Sequence, residues 1–337
     1  FYTIITGLQE SNLIKNLVSN LPYSIERRID DRKYLNASIS ADGSSIIAIG
    51  FDNYLYLFKD GAVTKLVDPS GTNRKYFSAS ISADGSSIIA RGHDNYLYLF
   101  KDGAVTKLTD PSNTNRIYSD QSISADGSFI IARGLYDNYL YLFKDGAVTK
   151  LEDPSDTSRR YYGPSISADG SFIIATGYDN YLYLFKDGAV TKLTDPSNTN
   201  RTYDISSISA DDSSIIARGL YDNYLYLFKD GAVTKLTDRY YGPSISADDS
   251  SIIATGSNGY LYLFKDGAVT ELEDPSNTNR RYASPSISAD GSFIIATGSD
   301  GYLYLFTRQA ALKKLISQLD ESEQKIVKEI LETAIRE

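Results

Sequence analysis

Ser122–Leu151 reads SISADGSFIIARGLYDNYLYLFKDGAVTKL, and most of the chain is this stretch again with small edits. The Asp of its SAD motif recurs at Asp42, Asp84, Asp126, Asp169, Asp211, Asp248 and Asp290, at separations of 42, 42, 43, 42, 37 and 42. A period near forty with strand-like content predicts blades of four strands each.

One unit can be read residue by residue. Ser122–Ser124 is a short strand, a. Ala125-Asp126-Gly127 is a tight turn in which glycine supplies a positive φ. Phe129–Arg133 is strand b, rich in isoleucine. Tyr136-Asp137-Asn138 turns the chain. Tyr139-Leu140-Tyr141-Leu142-Phe143 is strand c, with aromatics and leucine alternating at period two. Both faces of c are apolar, as expected for a strand sandwiched between neighbouring sheets. Asp145-Gly146 is a two-residue hairpin signal. Ala147–Leu151 is strand d, where Lys150 discourages edge-to-edge pairing.

Such a sheet cannot bury both faces alone. Seven of them stacked around an axis bury one another, which predicts an all-β, seven-bladed propeller of four-stranded antiparallel blades. An open solenoid is the alternative. The units run through 34–66, 76–108, 118–151, 161–193, 203–236, 240–272 and 282–306. The connection from d to the next a reads like Asp110–Arg116, DPSNTNR, a polar turn-rich loop. It is cut short at Asp238-Arg239, which gives the single separation of 37.

The seventh unit departs from the repeat after Phe306 and lacks a strand d. Residues 24–31 sit where a strand d would sit, just before the first unit. They are expected to complete the last blade and close the ring, which removes an edge. The chain thus divides into an N-terminal segment 1–23, a propeller 24–306 and a helical C-terminal segment 307–337. Leu13, Ile14, Leu17, Val18 and Leu21 share one helical face, ended by Pro22. Leu312, Leu315, Ile316 and Leu319 form a second stripe. Ile326, Val327, Ile330, Leu331 and Ile335 form a third, with Asp320 and Glu323 as a capping box. These helices are expected to meet beside the last blade, as a cap or as a docking or dimer surface.

The 337 residues carry a net charge of −9, with no cysteine, methionine or tryptophan and one histidine. No global field attracts nucleic acid. Thiol chemistry and disulfides are excluded. No apolar run is long enough to span a membrane. The expectation is a monomer, cytoplasmic, with no cofactor and no metal. The aspartates of the SADG and KDG turns read as turn formers, so catalysis is not expected.

Ser288–Gly291 together with Ile295–Phe306, IATGSDGYLYLF, resembles a blade of the tryptophan–aspartate (WD) repeat family, and also the quinoprotein-like propeller repeats. The resemblance spans residues 24–306, and near-identity of the copies points to recent amplification. It implies a platform that binds partners, mostly without chemistry. Phenylalanine replaces the family's tryptophan after strand c, and the Gly-His pair before strand a is missing. The family's buried hydrogen-bond tetrad therefore cannot form in its usual way. The Asp of the b–c turn persists at Asp52, Asp94, Asp137, Asp179, Asp222 and Asp300, with Asn258 as the exception.

Differences between copies concentrate at the end of strand b, in the b–c loop and in the approach to strand a. These share one face of a propeller. The face is expected to carry Arg91, His93, Arg133, Tyr136, Tyr178, Arg218, Tyr221, Tyr162, Tyr241 and Asp120 around the axis. Arginine and tyrosine are favoured interface anchors, and loops on a rigid scaffold commonly carry binding. Free drift of exposed loops would also produce such differences, although the equally exposed DPSNTNR loop hardly changes. Two functions follow: a protein- or peptide-binding scaffold using this face and the central channel, or a multivalent lectin with repeated sugar sites between blades.

Overall fold

The computed structural model describes residues 24–69, 73–210, 213–272, 274, 279–308, 316–317 and 324. The N-terminal helix and the two C-terminal helices expected from the sequence fall outside these residues, save for isolated positions.

Every described unit is built from antiparallel strands in the order a, b, c, d from the axis outward. In unit 3 these are Tyr118–Ile123, Phe129–Gly134, Leu140–Lys144 and Ala147–Leu151. The c–d hairpins turn as their Asp-Gly pairs require. Asp60 and Gly61 both have positive φ, at 51° and 76°, which is the twist-matched geometry of a two-residue hairpin.

The fold is an all-β propeller, but its hydrogen-bonded sheets number six rather than the expected seven. Five have four strands. The sixth has seven, because Ala232–Ile245 is one continuous 14-residue strand. Its first part pairs with Tyr224–Lys229 and its second with Ser251–Gly256. The cause is the shortened connection at Asp238-Arg239. With the usual loop missing, the outer strand of unit 5 runs directly into the inner strand of unit 6.

Ser24–Arg28 pairs antiparallel with Leu303–Thr307, so the start of the chain supplies the outer strand of the last unit. A second set of bonds links the inner turns. The amide of Ala41 donates to the carbonyl of Ala83 at 2.8 Å, Asp84 to Ala125 at 3.2 Å and Ala125 to Ala168 at 2.9 Å. Ala289 donates to Ala41 at 2.9 Å, joining the last unit to the first.

The core lies between sheets. Strand c divides its side chains by parity. Leu55 of unit 1 packs toward unit 2 with Ile47, Tyr76, Ile88 and Tyr98, whereas Tyr56 and Phe58 pack toward the last unit with Ile295, Leu303 and Leu305. Each strand-a tyrosine meets the two c aromatics edge-on. Tyr118 lies 5.7 Å from Tyr141 and 5.1 Å from Phe143 between ring centres, the arrangement aromatic quadrupoles favour.

A chain beginning at residue 32 leaves the Leu303–Thr307 edge unpaired. The expected outcome is a melting midpoint lowered by roughly 5–10 °C, for a loss of a few kcal/mol. Concentration-dependent association should appear in analytical ultracentrifugation, because an open edge templates pairing. A monomer with an unchanged midpoint would contradict this account of closure.

Candidate functional site: the b–c loop face

The face is built over a charged clamp that recurs in units 2, 3, 5 and 7. In unit 2, Arg74 Nε donates to Asp68 Oδ2 at 2.8 Å and Nη1 to Asp94 Oδ2 at 2.5 Å. The Tyr98 hydroxyl donates to the same Asp94 oxygen at 2.7 Å, and the guanidinium lies 4.0 Å from the Tyr98 ring centre. Unit 5 repeats this with Arg201, Asp195, Asp222 and Tyr226. Unit 7 repeats it with Arg280, Asp274, Asp300 and Tyr304. In unit 3, Arg116 reaches Asp110 at 3.0 Å and Asp137 at 2.5 Å. The loop that reads as plain polar sequence is therefore a structural device. The tetrad expected to fail has a substitute made of Asp, Arg, Asp and Tyr. Only the loop's constancy signalled it in the sequence.

The clamp fixes the b–c turn. Asp94 Oδ1 accepts from the Tyr96 amide at 3.2 Å, and the Asn53 carbonyl of one unit accepts from the Tyr76 amide of the next at 2.8 Å. The constant Gly92 between variable neighbours is explained by crowding. A Cβ there would stand 2.5 Å from Asp94 Oδ1 and 3.0 Å from the Tyr98 ring. Burial pushes the Tyr98 and Tyr226 hydroxyls above their ordinary range, and their carboxylate partners add to this. They stay protonated donors.

Unit 6 drops the clamp as a whole. Its loop is shortened and Asn258 replaces the aspartate. Asn258 Nδ2 donates to the Tyr262 hydroxyl at 2.6 Å, and that hydroxyl donates to Glu271 at 2.7 Å. Loss of the arginine and neutralisation of its carboxylate partner occur together, which avoids leaving an uncompensated charge.

Above this frame the ten expected residues fall into small groups. Arg133 Nε donates to Asp120 Oδ2 at 2.7 Å, and its Nη1 donates to Asn138. Arg218 is held by both oxygens of Asp204 and lies 5.0 Å from the ring centre of Tyr241 in the next unit. The Tyr162 hydroxyl donates to Asn180 at 3.0 Å, and Tyr178 packs edge-on against it. Arg91 sits 4.8 Å over Phe77, whose ring stacks on His93 at 3.9 Å. Tyr136 and Tyr221 stand nearly free, each 84 % exposed. Phe51, Phe77 and Asp204, from the variable stretches, and Asn138 and Asn180, from the b–c turns, belong to the face beside those ten.

The exposed rings are not spread evenly. Units 1 to 5 carry Phe51, His93, Tyr136, Tyr178 and Tyr221 in the b–c loop, and units 6 and 7 carry Ser257 and Ser299. The rings form an arc around part of the face. A separate cavity of about 330 Å³ lies between units 4 and 5, lined by Lys192, Thr194, Ser213, Phe228 and Lys229 among others. It offers one ring, and Lys229 there is engaged with Asp249.

No family model matches this sequence, and no curated protein matches it. Among solved structures, the chain is similar to the Myceliophteria thermophila Cps50 (Swd1) β-propeller domain. The TM-score is 0.65 at 12 % identity, covering 85 % of this chain and 99 % of that one. The likeness is one of fold, and the fold is a β-propeller.

Two outcomes test the clamp. Arg116→Ala leaves the buried Asp110 without its cation and should cost about 3 kcal/mol in urea unfolding, the lower end for a broken buried pair. Adding Asp110→Asn and Asp137→Asn should recover part of that loss, as unit 6 suggests. The second outcome concerns acid. Burial raises Asp110, Asp153 and Asp195, but bonds from Ser112, Ser155 and Ser197 and the adjacent arginines outweigh it, leaving all three below the ordinary value. The unfolded chain therefore takes up these protons first as pH falls. Stability should be retained above pH about 4 and decline progressively below it, as read by the urea midpoint across pH.

Proposed function

We propose that this chain is a non-catalytic scaffold that binds a protein or peptide through the b–c loop face and the mouth of the central channel. The ring is read as seven-bladed, with Ala232–Ile245 serving as the outer strand of one blade and the inner strand of the next. The observation that carries the functional reading is the arc of exposed rings on units 1 to 5, held by a clamped rigid frame. Large aromatics grouped on one exposed face are characteristic of binding surfaces. Rigid loops lower the ordering cost of association.

The lectin reading drew on repeated Tyr, Asp and Asn between blades. The clamp engages many of these hydroxyls and carboxylates internally, which leaves them poorly placed for sugar, and no further observation favours that reading. The inward tyrosines and turn aspartates likewise have structural tasks, which supports binding over catalysis.

A pull-down with the intact chain tests the proposal. Replacing Tyr136, Tyr178 and Tyr221 together by alanine should weaken the captured partner at least tenfold. Folding stability should change by no more than about 0.5 kcal/mol at Tyr136 and at Tyr221, which are so exposed, and by somewhat more at Tyr178, which packs on Tyr162. Undiminished capture by the triple variant would refute the use of this face.

A further inference from the structure

This inference rests on the reading of the b–c face as a binding surface and assigns the chemistry of one part of it. Three units carry an arginine near the end of strand b, at Arg91, Arg133 and Arg218, where the others carry Ile49, Thr176, Thr255 and Thr297. Arg133 and Arg218 are neutralised inside their own units by Asp120 and Asp204. Arg91 is not. Asp204 is the second residue of Tyr203–Ile208, and the second residue of Tyr76–Ile81 is Phe77. The ring therefore replaces a carboxylate, and Arg91 rests on that ring. Its Nε is buried without a hydrogen-bond partner. Among the described residues, no carboxylate oxygen is bonded to it.

The surroundings form a seam between units 2 and 3. Arg91 pairs in register with Ser78, whose hydroxyl donates to Gln121 of unit 3 at 3.0 Å. Asp120, next to Gln121, is the acid that acts electrostatically on Arg91, and it is already bonded to Arg133. Two guanidiniums thus share one carboxylate, leaving one positive charge in excess. Beside them the stacked Phe77 and His93 present a flat exposed wall. Arg91 is only partly buried, but its Nε–H is covered and unpartnered, which is costly. A planar anion bonded to its fork relieves that cost.

We propose that the seam between units 2 and 3 receives one carboxylate or phosphate group of a peptide, bonded by Arg91, with the Phe77–His93 stack holding the side chain that carries it. Arg133 and Asp120 frame the far wall. Arg91 is the specificity-determining residue, because neither Arg133 nor Arg218 has a comparable unused donor.

The test is a titration of the ¹⁵N-labelled full chain with three peptides: acetyl-Gly-Glu-Gly-amide, its phosphoserine counterpart and its glutamine counterpart. Arginine Nε–H signals and backbone amides are followed. Saturable shifts centred on residues 77–79, 91–93 and 120–121 are expected with at least one anionic peptide and not with glutamine. Which anion binds more tightly assigns the group as carboxylate or phosphate. Arg91→Ala should weaken binding at least tenfold. Arg91→Lys, which keeps the charge and loses the fork, should fall between the two. Absence of shifts with both anions, equal shifts with glutamine, shifts scattered over the surface, or full affinity in Arg91→Ala would each overturn the assignment. Because this readout is independent of the tyrosine triple variant, a partner that needs those tyrosines and ignores Arg91 overturns the subsite alone.

Discussion

A four-stranded sheet whose two faces are both apolar has no stable existence alone in water, and every other feature of this protein answers to that constraint. Strand c shows it most directly. The leucines of LYLF face one neighbouring unit and its aromatics face the other, so each unit is half of two cores. Stability in such an array comes from neighbour contacts rather than from any one unit. The first and last units would each carry a bare face unless the array closed on itself. The pairing of Ser24–Arg28 with Leu303–Thr307 and the bond from Ala289 to Ala41 join those ends.

Closure fixes where the sheets lie but not how their loops are held. That second task falls to the Asp–Arg–Asp–Tyr clamp. Its arginine comes from the connection leading into a unit, while the second aspartate and the tyrosine come from the unit itself. A buried ion pair is weak evidence of net stabilisation, since desolvation offsets much of the attraction. Its value here is positional: one guanidinium ties the d–a loop to the b–c turn and lies against the strand-c ring. Unit 6 makes the same point from the other side. There the loop, the arginine and the partner carboxylate have all changed together, and the unit still folds, with Asn258, Tyr262 and Glu271 in a chain of hydrogen bonds.

Much of this frame could be read from the chain. The YLYLF alternation gave the two-sided strand, Asp-Gly gave the hairpins, and the missing final KDGAVTKL pointed to residues 24–31 as the replacement. What escaped has a physical reason in each case. The continuous strand Ala232–Ile245 escaped because a short connection reads equally well as a tight loop. The clamp escaped because its partners are twenty or so residues apart and meet only once the turn is folded, as with Arg74 and Asp94. The differing states of Arg91, Arg133 and Arg218 escaped because they depend on whether residue 77, 120 or 204 supplies a carboxylate across the strand pair. Sequence showed three similar arginines; the structure separates two closed pairs from one open donor.

The same separation bears on how a repeated chain acquires a specific surface. Identical units around an axis would make a symmetric face, with several equivalent sites and no preferred orientation. The differences here break that symmetry while the antiparallel strand pairing persists, even in unit 6, which loses the clamp. Rings occupy the b–c loops of five units and serine those of two, while Gly92 and its equivalents stay constant because no Cβ fits beside the clamp. Exposed side chains on such loops change the chemistry of the face residue by residue at little cost to folding.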